Sequence, residues 1–187
     1  VEGDLGTSYF YKRPVVDVIL DKLVATLELV IAAAIIIVLV SIPLGVYSAI
    51  HPNSFLTKLI MGFSIIGISV PVFLTAIMLM YVFAIELNWL PSYGRGDTAN
   101  WFGWESGFFT VDGLAHLVLP AVSLSSIMLP LFIRLVRSEM LEALSTEYVK
   151  FARAKGMPER KVQYQHALKN TMLPVVTVGG VQIGTMV

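Results

Sequence analysis

Side chains able to carry out chemistry are sparse in these 187 residues, and none has the spacing of a catalytic group. There is no cysteine, so neither a disulfide framework nor a thiolate metal site is available. No G-x-x-x-x-G-K-[ST] phosphate loop, no H-E-x-x-H and no carboxylate–histidine cluster at metal spacing occurs. The one stretch with a readable pattern of charge is Glu139 to Pro174, EMLEALSTEYVKFARAKGMPERKVQYQHALKNTMLP. Eight of the thirteen Lys and Arg residues lie between Arg134 and Lys169, against four glutamates, a local excess of four positive charges. Such a segment offers recognition rather than reaction. Ala152 and Ala154 are small enough to let a partner surface approach, and Arg153 and Lys155 are placed to pair with acidic groups at its rim.

The elements that hold this segment are helical. Met140, Leu144, Tyr148 and Phe151 are spaced by four, four and three, which predicts one apolar face. Gly156 stops that helix, because glycine enters the left-handed C′ conformation without a Cβ penalty. Pro158 suits the first turn of a second helix, where a missing N–H is no loss. The expectation is two short helices, broken at Gly156 and Met157 and held between longer apolar runs.

Those runs set the class of protein. The chain is 56% hydrophobic and 14% charged, where soluble domains average about 25% charged residues. Leu29–Ile50 and Leu59–Ile85 carry no charge, and each is long enough to cross a core of about 30 Å. Leu114–Ile133 is a third span, bent by Pro120 and Pro130, and Thr171–Val187 begins a fourth. Ser41, Gly45 and Ala49 place small residues every four, a face for close helix approach, and Pro43 is expected to kink that span. In the second span Ser69 and Pro71 are candidate translocation-path residues, since a mid-span proline frees a carbonyl that must find another partner. An ordinary packing kink is the alternative.

Outside the spans, Pro14 opens an amphipathic stretch with Val16, Leu20, Leu23 and Leu27 on one face and Asp17, Asp21 and Glu28 on another. It reads either as a helix lying at the bilayer surface or as an extension of the following span. Residues 86–113 form a polar but aromatic loop whose Trp89, Tyr93, Trp101, Trp104, Phe108 and Phe109 suit an interfacial belt, with contact to a partner protein as the alternative. His116, near the outer end of the third span, is read as structural rather than as a ligand. Counted by alternate sides, Lys and Arg fall nine against four. This predicts that the charged loop is cytoplasmic and the start of the chain external. Neither terminus reads as a natural end, so a piece of a longer chain is expected.

At this point the residues carry a resemblance. Tyr148-Val149, Ala152-Arg153-Ala154-Lys155-Gly156, His166-Ala167-Leu168-Lys169-Asn170 and Leu173-Pro174 resemble the cytoplasmic loop of ABC-importer permeases, in the wording of the dipeptide, oligopeptide and nickel branch. Gly3-Asp4-Leu5-Gly6-Thr7-Ser8, Thr26-Leu27-Glu28-Leu29 and Ser69-Val70-Pro71-Val72-Phe73 are similar to that branch too. Lys150 and Phe151 replace the Glu and first Ala of the general importer loop, and its Leu-Pro pair comes late, which sets the chain apart from the sugar branch.

The resemblance implies an all-α integral membrane protein, a polytopic helical bundle of the importer-permease type. Three full spans (about 29–50, 59–85 and 114–133) and the start of a fourth (171–187) are present, out of about six in a complete subunit. It also implies a bacterial or archaeal cytoplasmic (inner) membrane location. The implied partners are a second homologous permease, two cytoplasmic ATPase subunits, an extracytoplasmic solute-binding protein and the lipid bilayer, with no nucleic acid. The chain itself would bind no cofactor, ATP being used by the partner subunits. Loop 134–170 would couple to them through Tyr148, Ala152, Arg153, Ala154, Lys155, Gly156, His166 and Pro174. The spans carry no Asp, Glu, Lys or Arg at mid-depth of the kind that proton- or sodium-coupled transporters place there. The competing readings are a secondary transporter or channel with a merely solvated basic loop, and a membrane-bound enzyme, which lacks a catalytic cluster.

Overall fold

The computed structural model describes residues 5–101 and 104–186. Gly3, Asp4 and Val187 lie outside the described residues, as do the side chains of Asp21, Trp101 and Trp104.

The first helix, α1 (Val15–Ile50), runs 36 residues without interruption, from Pro14 through Pro43. At 1.5 Å per residue it is about 54 Å long, so the stretch after Pro14 extends the span and is no separate surface helix. Val16, Leu20 and Leu23 stay exposed. Glu28, expected on the polar face beside Asp17, is instead buried.

Ser54 caps α2 (Phe55–Ser69), its Oγ accepting the Leu56 N–H at 3.3 Å. The chain then turns through extended Val70 and Pro71 into α3 (Val72–Leu79), which continues as π-helical turns over Met80–Glu86. The two arms are bent by 107°. The second span is therefore broken outright, which exceeds the kink expected of it. Proline has no N–H to give and disfavours helical backbone at the residue before it, so Val70 leaves the helix.

The 86–113 connection holds a small hairpin, β1 (Ala99–Trp101) paired antiparallel with β2 (Trp104–Ser106). A single 3-10 turn over Gly107–Phe109 follows. Among the described residues this hairpin and an isolated bridge between Thr7 and Pro14 amend the all-α expectation. Thr110 then starts α4 (Val111–Ser145), its hydroxyl accepting the Gly113 N–H at 3.0 Å. α4 carries both Pro120 and Pro130 and extends twelve residues past the predicted end of its span. It takes Arg134 to Ser145 out of the loop.

α4 is the centre of the fold and packs against α1, α2, α3 and α7 (Leu168–Met186). Ser41, Gly45 and Ala49 are all buried, as their spacing predicts. A Cβ built at Gly45 would sit 2.6 Å from the Cβ of Val136 and 3.0 Å from the Ile133 carbonyl. Ile37, Val46, Phe132, Val136 and Met140 complete the core between α1 and α4. Much apolar surface stays uncovered, including Ile31, Ile35, Phe63, Ile66, Phe73, Leu173 and Val176. Exposure on that scale belongs to a lipid face or a helix–helix contact rather than to a water-soluble surface. Among the described residues, α1 and α4 are long and apolar enough to cross a bilayer, and the α2–α3 pair is a third if the bent pair counts as one span.

Candidate functional site

α4 ends because Thr146 takes extended backbone while its hydroxyl and N–H both turn back to the Ala143 carbonyl, at 2.5 and 3.3 Å. The next helix, α5 (Glu147–Ala154), is eight residues long. The four residues expected on one face therefore divide between two helices. Met140 and Leu144 belong to α4, while Tyr148 and Phe151 lie exposed on α5. The buried side of α5 is Val149 and Ala152, which enter one cluster with Met140, Ala143, Val162 and Ala167.

The turn after α5 has the geometry expected from its glycine. Gly156 has φ +75°, its N–H donates to the Arg153 carbonyl at 2.9 Å, and the Met157 N–H donates to the Ala152 carbonyl at 3.3 Å. Together these bonds form a complete Schellman motif. Pro158 then opens α6 (Glu159–Lys161), which passes through π-helical turns at Val162–Ala167 straight into α7. The second of the two expected short helices is thus the root of the next long one.

The polar side chains brace this turn. The Arg153 guanidinium grips the Glu159 carboxylate with two donors, Nε at 3.2 Å and Nη2 at 2.7 Å. That fork–fork bond holds the Glu159 carboxyl below its ordinary range and pushes Arg153 further up. Asn170 Nδ2 donates to the Tyr148 hydroxyl at 2.7 Å, tying α5 to α7. Lys150 pairs with Glu147 at 2.7 Å, and the Lys155 ammonium lies 4.5 Å from the centre of the Phe151 ring.

Among the residues singled out in the loop, Tyr148, Arg153, Ala154, Lys155 and Gly156 share the exposed rim of α5 and its turn. Ala152 faces inward, so it serves packing within the chain. Arg153 is already paired with Glu159. His166 lies half-buried in the π-helical turns, and Pro174 lies half-buried inside α7. Ser69 and Pro71 are exposed at the elbow between α2 and α3, where Ser69 Oγ donates back to the Ile65 carbonyl at 3.2 Å. Glu159 escaped sequence reasoning as a partner, and Asn170 enters it only as part of the resemblance, not as the partner of Tyr148. Arg153 and Glu159 are six apart across a Gly-Met-Pro turn, outside the three- and four-residue spacings by which helix pairs are recognised.

An apolar helical bundle with a short amphipathic helix wedged between the roots of two long helices has the build of a membrane-embedded protein, and comparison with known proteins gives its family. Residues 41–187 match the family described as binding-protein-dependent transport system inner membrane component, and the chain belongs to that family. It is 38% identical over its whole length to a dipeptide transport system permease of Escherichia coli (strain K12), covering 59% of that protein. It is 37% identical, again over its whole length, to an oligopeptide transport system permease of Bacillus subtilis (strain 168), covering 58%. With a glutathione transport system permease of Salmonella paratyphi A it shares 34% identity over 98% of its length, covering 55%. The chain thus spans less than two thirds of the length of these relatives. The names of these relatives are those of dipeptide, oligopeptide and glutathione transport permeases.

Proposed function

We propose that this chain forms part of the translocation path of an ATP-driven importer for peptides or a related small solute. In this reading α5 and its Gly156 turn dock on a cytoplasmic ATPase subunit. The observation that carries it is the construction of α5. Its inner face is seated in the bundle, its outer rim is basic and aromatic, and its exit direction is set by a left-handed glycine. A coupling element must transmit rigid-body motion, and a braced, seated helix does this better than a flexible loop.

The same reading places residues 139–169 in the cytoplasm and residues 88–112 outside. It pairs the chain with a second homologous permease, two ATPase subunits and an external solute-binding protein in a bacterial or archaeal inner membrane. ATP would be bound and hydrolysed by those partners and not by this chain. Ser69 and Pro71, at the elbow, remain candidates for the path itself. The relatives' names span dipeptides, oligopeptides and glutathione, so the solute proposed here is a small peptide or peptide-like molecule.

The test is uptake by the full-length permease and its partner subunits, reconstituted in vesicles, with and without hydrolysable ATP. ATP-dependent uptake is expected. Uptake driven by an ion gradient alone would replace this reading with secondary transport.

A further inference from the structure

The connection between α3 and α4 is anchored by a charge that the proposed function does not use. Glu28 is the only charged side chain among the buried described residues, 2% exposed, and lies at the end of the uncharged stretch of α1. Its Oε1 accepts the Gly107 N–H at 3.1 Å, and its Oε2 accepts Arg95 Nη2 at 3.2 Å. One carboxylate therefore holds two points of the connection twelve residues apart. Burying a carboxylate carries a large desolvation penalty unless it is paired and hydrogen-bonded, and here both oxygens are engaged.

The held segment is in turn fastened to the head of α4. The Asp97 N–H donates to Asp112 Oδ2 at 2.9 Å, and the Thr110 hydroxyl donates to the Asp97 carbonyl while capping α4. His116 Nδ1 lies 2.8 Å from the Asp112 carbonyl. Glycines make the close fit possible. Gly96, at φ +72°, leaves no room for a Cβ against His116 and Asp112, and Gly113 leaves none against Gly107.

We propose that Glu28 is a positioning residue, whose buried carboxylate locks the 86–110 connection onto α1 so that the end of α1, the connection and the head of α4 move as one body. The proposal concerns the pose of the connection and does not depend on what the protein transports or on how transport is driven.

These 187 residues contain no cysteine, so with any cysteine elsewhere in the full-length protein replaced, paired nitroxide labels at Leu20→Cys on α1 and Tyr93→Cys on the connection, both exposed sites, report the pose directly by pulsed electron–electron resonance. The measurement uses the full-length permease in lipid nanodiscs. The unaltered carboxylate should give one narrow distance distribution. Glu28→Gln, which keeps the shape but loses the charge, should at least double its width or split it. Glu28→Asp should do the same, because a side chain one methylene shorter cannot reach Gly107 and Arg95 together. Arg95→Gln should broaden it less, since the Gly107 bond survives. If Glu28→Gln is not recovered in the membrane, the Asp and Arg95 variants decide. A narrow distribution in every recovered Glu28 variant overturns the proposal. A narrow distribution with uptake abolished would do so in a particular way, by assigning the carboxylate to translocation itself.

Discussion

Alanine at Gly45 tests the packing of α1 on α4 by the sign of its effect. In a helix interior, Gly→Ala ordinarily stabilises by about 0.8–1.0 kcal/mol, because alanine has less conformational freedom to lose. At Gly45 the new methyl would lie 2.6 Å from Val136 Cβ, 2.7 Å from Val136 Cγ1 and 3.0 Å from the Ile133 carbonyl oxygen. Carbon atoms in contact prefer about 3.5–4.0 Å, so the helices must part by roughly 1 Å. Forced methyls in well-packed cores cost about 1–3 kcal/mol. The clash should therefore match or exceed the propensity gain, leaving a net loss of about 0–2 kcal/mol. At about 2–4 °C per kcal/mol for a chain of this size, Gly45→Ala should melt up to about 8 °C lower. Gly62, a helical glycine with nothing within 4 Å of its would-be Cβ, is the internal control. Gly62→Ala should be neutral or stabilising. Adding Val136→Ala should rescue Gly45→Ala only in part, since it removes the Cγ1 contact and leaves the Cβ and the carbonyl. Gly45→Leu should go further and lower the yield of assembled permease. The assay is thermal unfolding of the detergent-solubilised protein, followed by size-exclusion chromatography. A Gly45→Ala protein that melts above the parent would refute the close approach.

Other outcomes can be checked as directly. The Cβ of Gly156→Val would meet nothing within 4 Å, so its cost comes chiefly from the left-handed backbone, roughly 1–2 kcal/mol. It should leave the permease inserted while abolishing solute-stimulated ATP hydrolysis in the reconstituted system. A cysteine at exposed Tyr93 should react with an impermeant reagent in intact cells and one at Ser145 should not, and the reverse pattern would invert the proposed orientation. Ser106 is unsuitable for that experiment because it is buried. The Arg153–Glu159 brace should depend on acid. Glu159 is held below its ordinary value of 4.5, so its contribution is complete above that value and is lost as pH falls through the lowered one. A spin label at Lys161→Cys should become more mobile on acidification and should be insensitive to pH in Glu159→Gln. The pair is solvent-exposed, so the energy involved is about 0–1 kcal/mol.

Some of this fold was legible in the residues, and the divisions have physical causes. Gly156 and Pro158 announced the turn because each has a backbone preference that few other residues share. The Ser41, Gly45, Ala49 face was readable because a four-residue period of small side chains has one main use in a bilayer. The break at Thr146 was hidden because the apolar period runs across it without a phase change, and the turn is made by a threonine hydroxyl reaching back three residues. Pro71 marked the elbow but not its angle, since both arms are apolar on all sides and give no phase to compare. Glu28 was grouped with Asp17 by periodicity, and its true partners lie 67 and 79 residues away. No local pattern encodes a pairing at that range. Ala152 illustrates the same difficulty at short range, for a small residue beside a basic one reads equally well as an outward seat for a partner and as an inward seat for a neighbouring helix.

The placing of α5 has a mechanical consequence. It has its own two ends, at Thr146 and at the Gly156 turn, whereas the helices it rests on are the bases of long shafts, α4 on one side and α6 with α7 on the other. Val149 and Ala152 occupy a socket contributed jointly by Met140 and Ala143 from the first shaft and Val162 and Ala167 from the second. If the two shafts travel together, α5 is carried along with its seating unchanged. If one slides past the other by a helical turn, about 5.4 Å, the two halves of the socket no longer face each other and α5 must tilt or leave. So seated, the short helix would respond to the difference between two displacements and not to their sum.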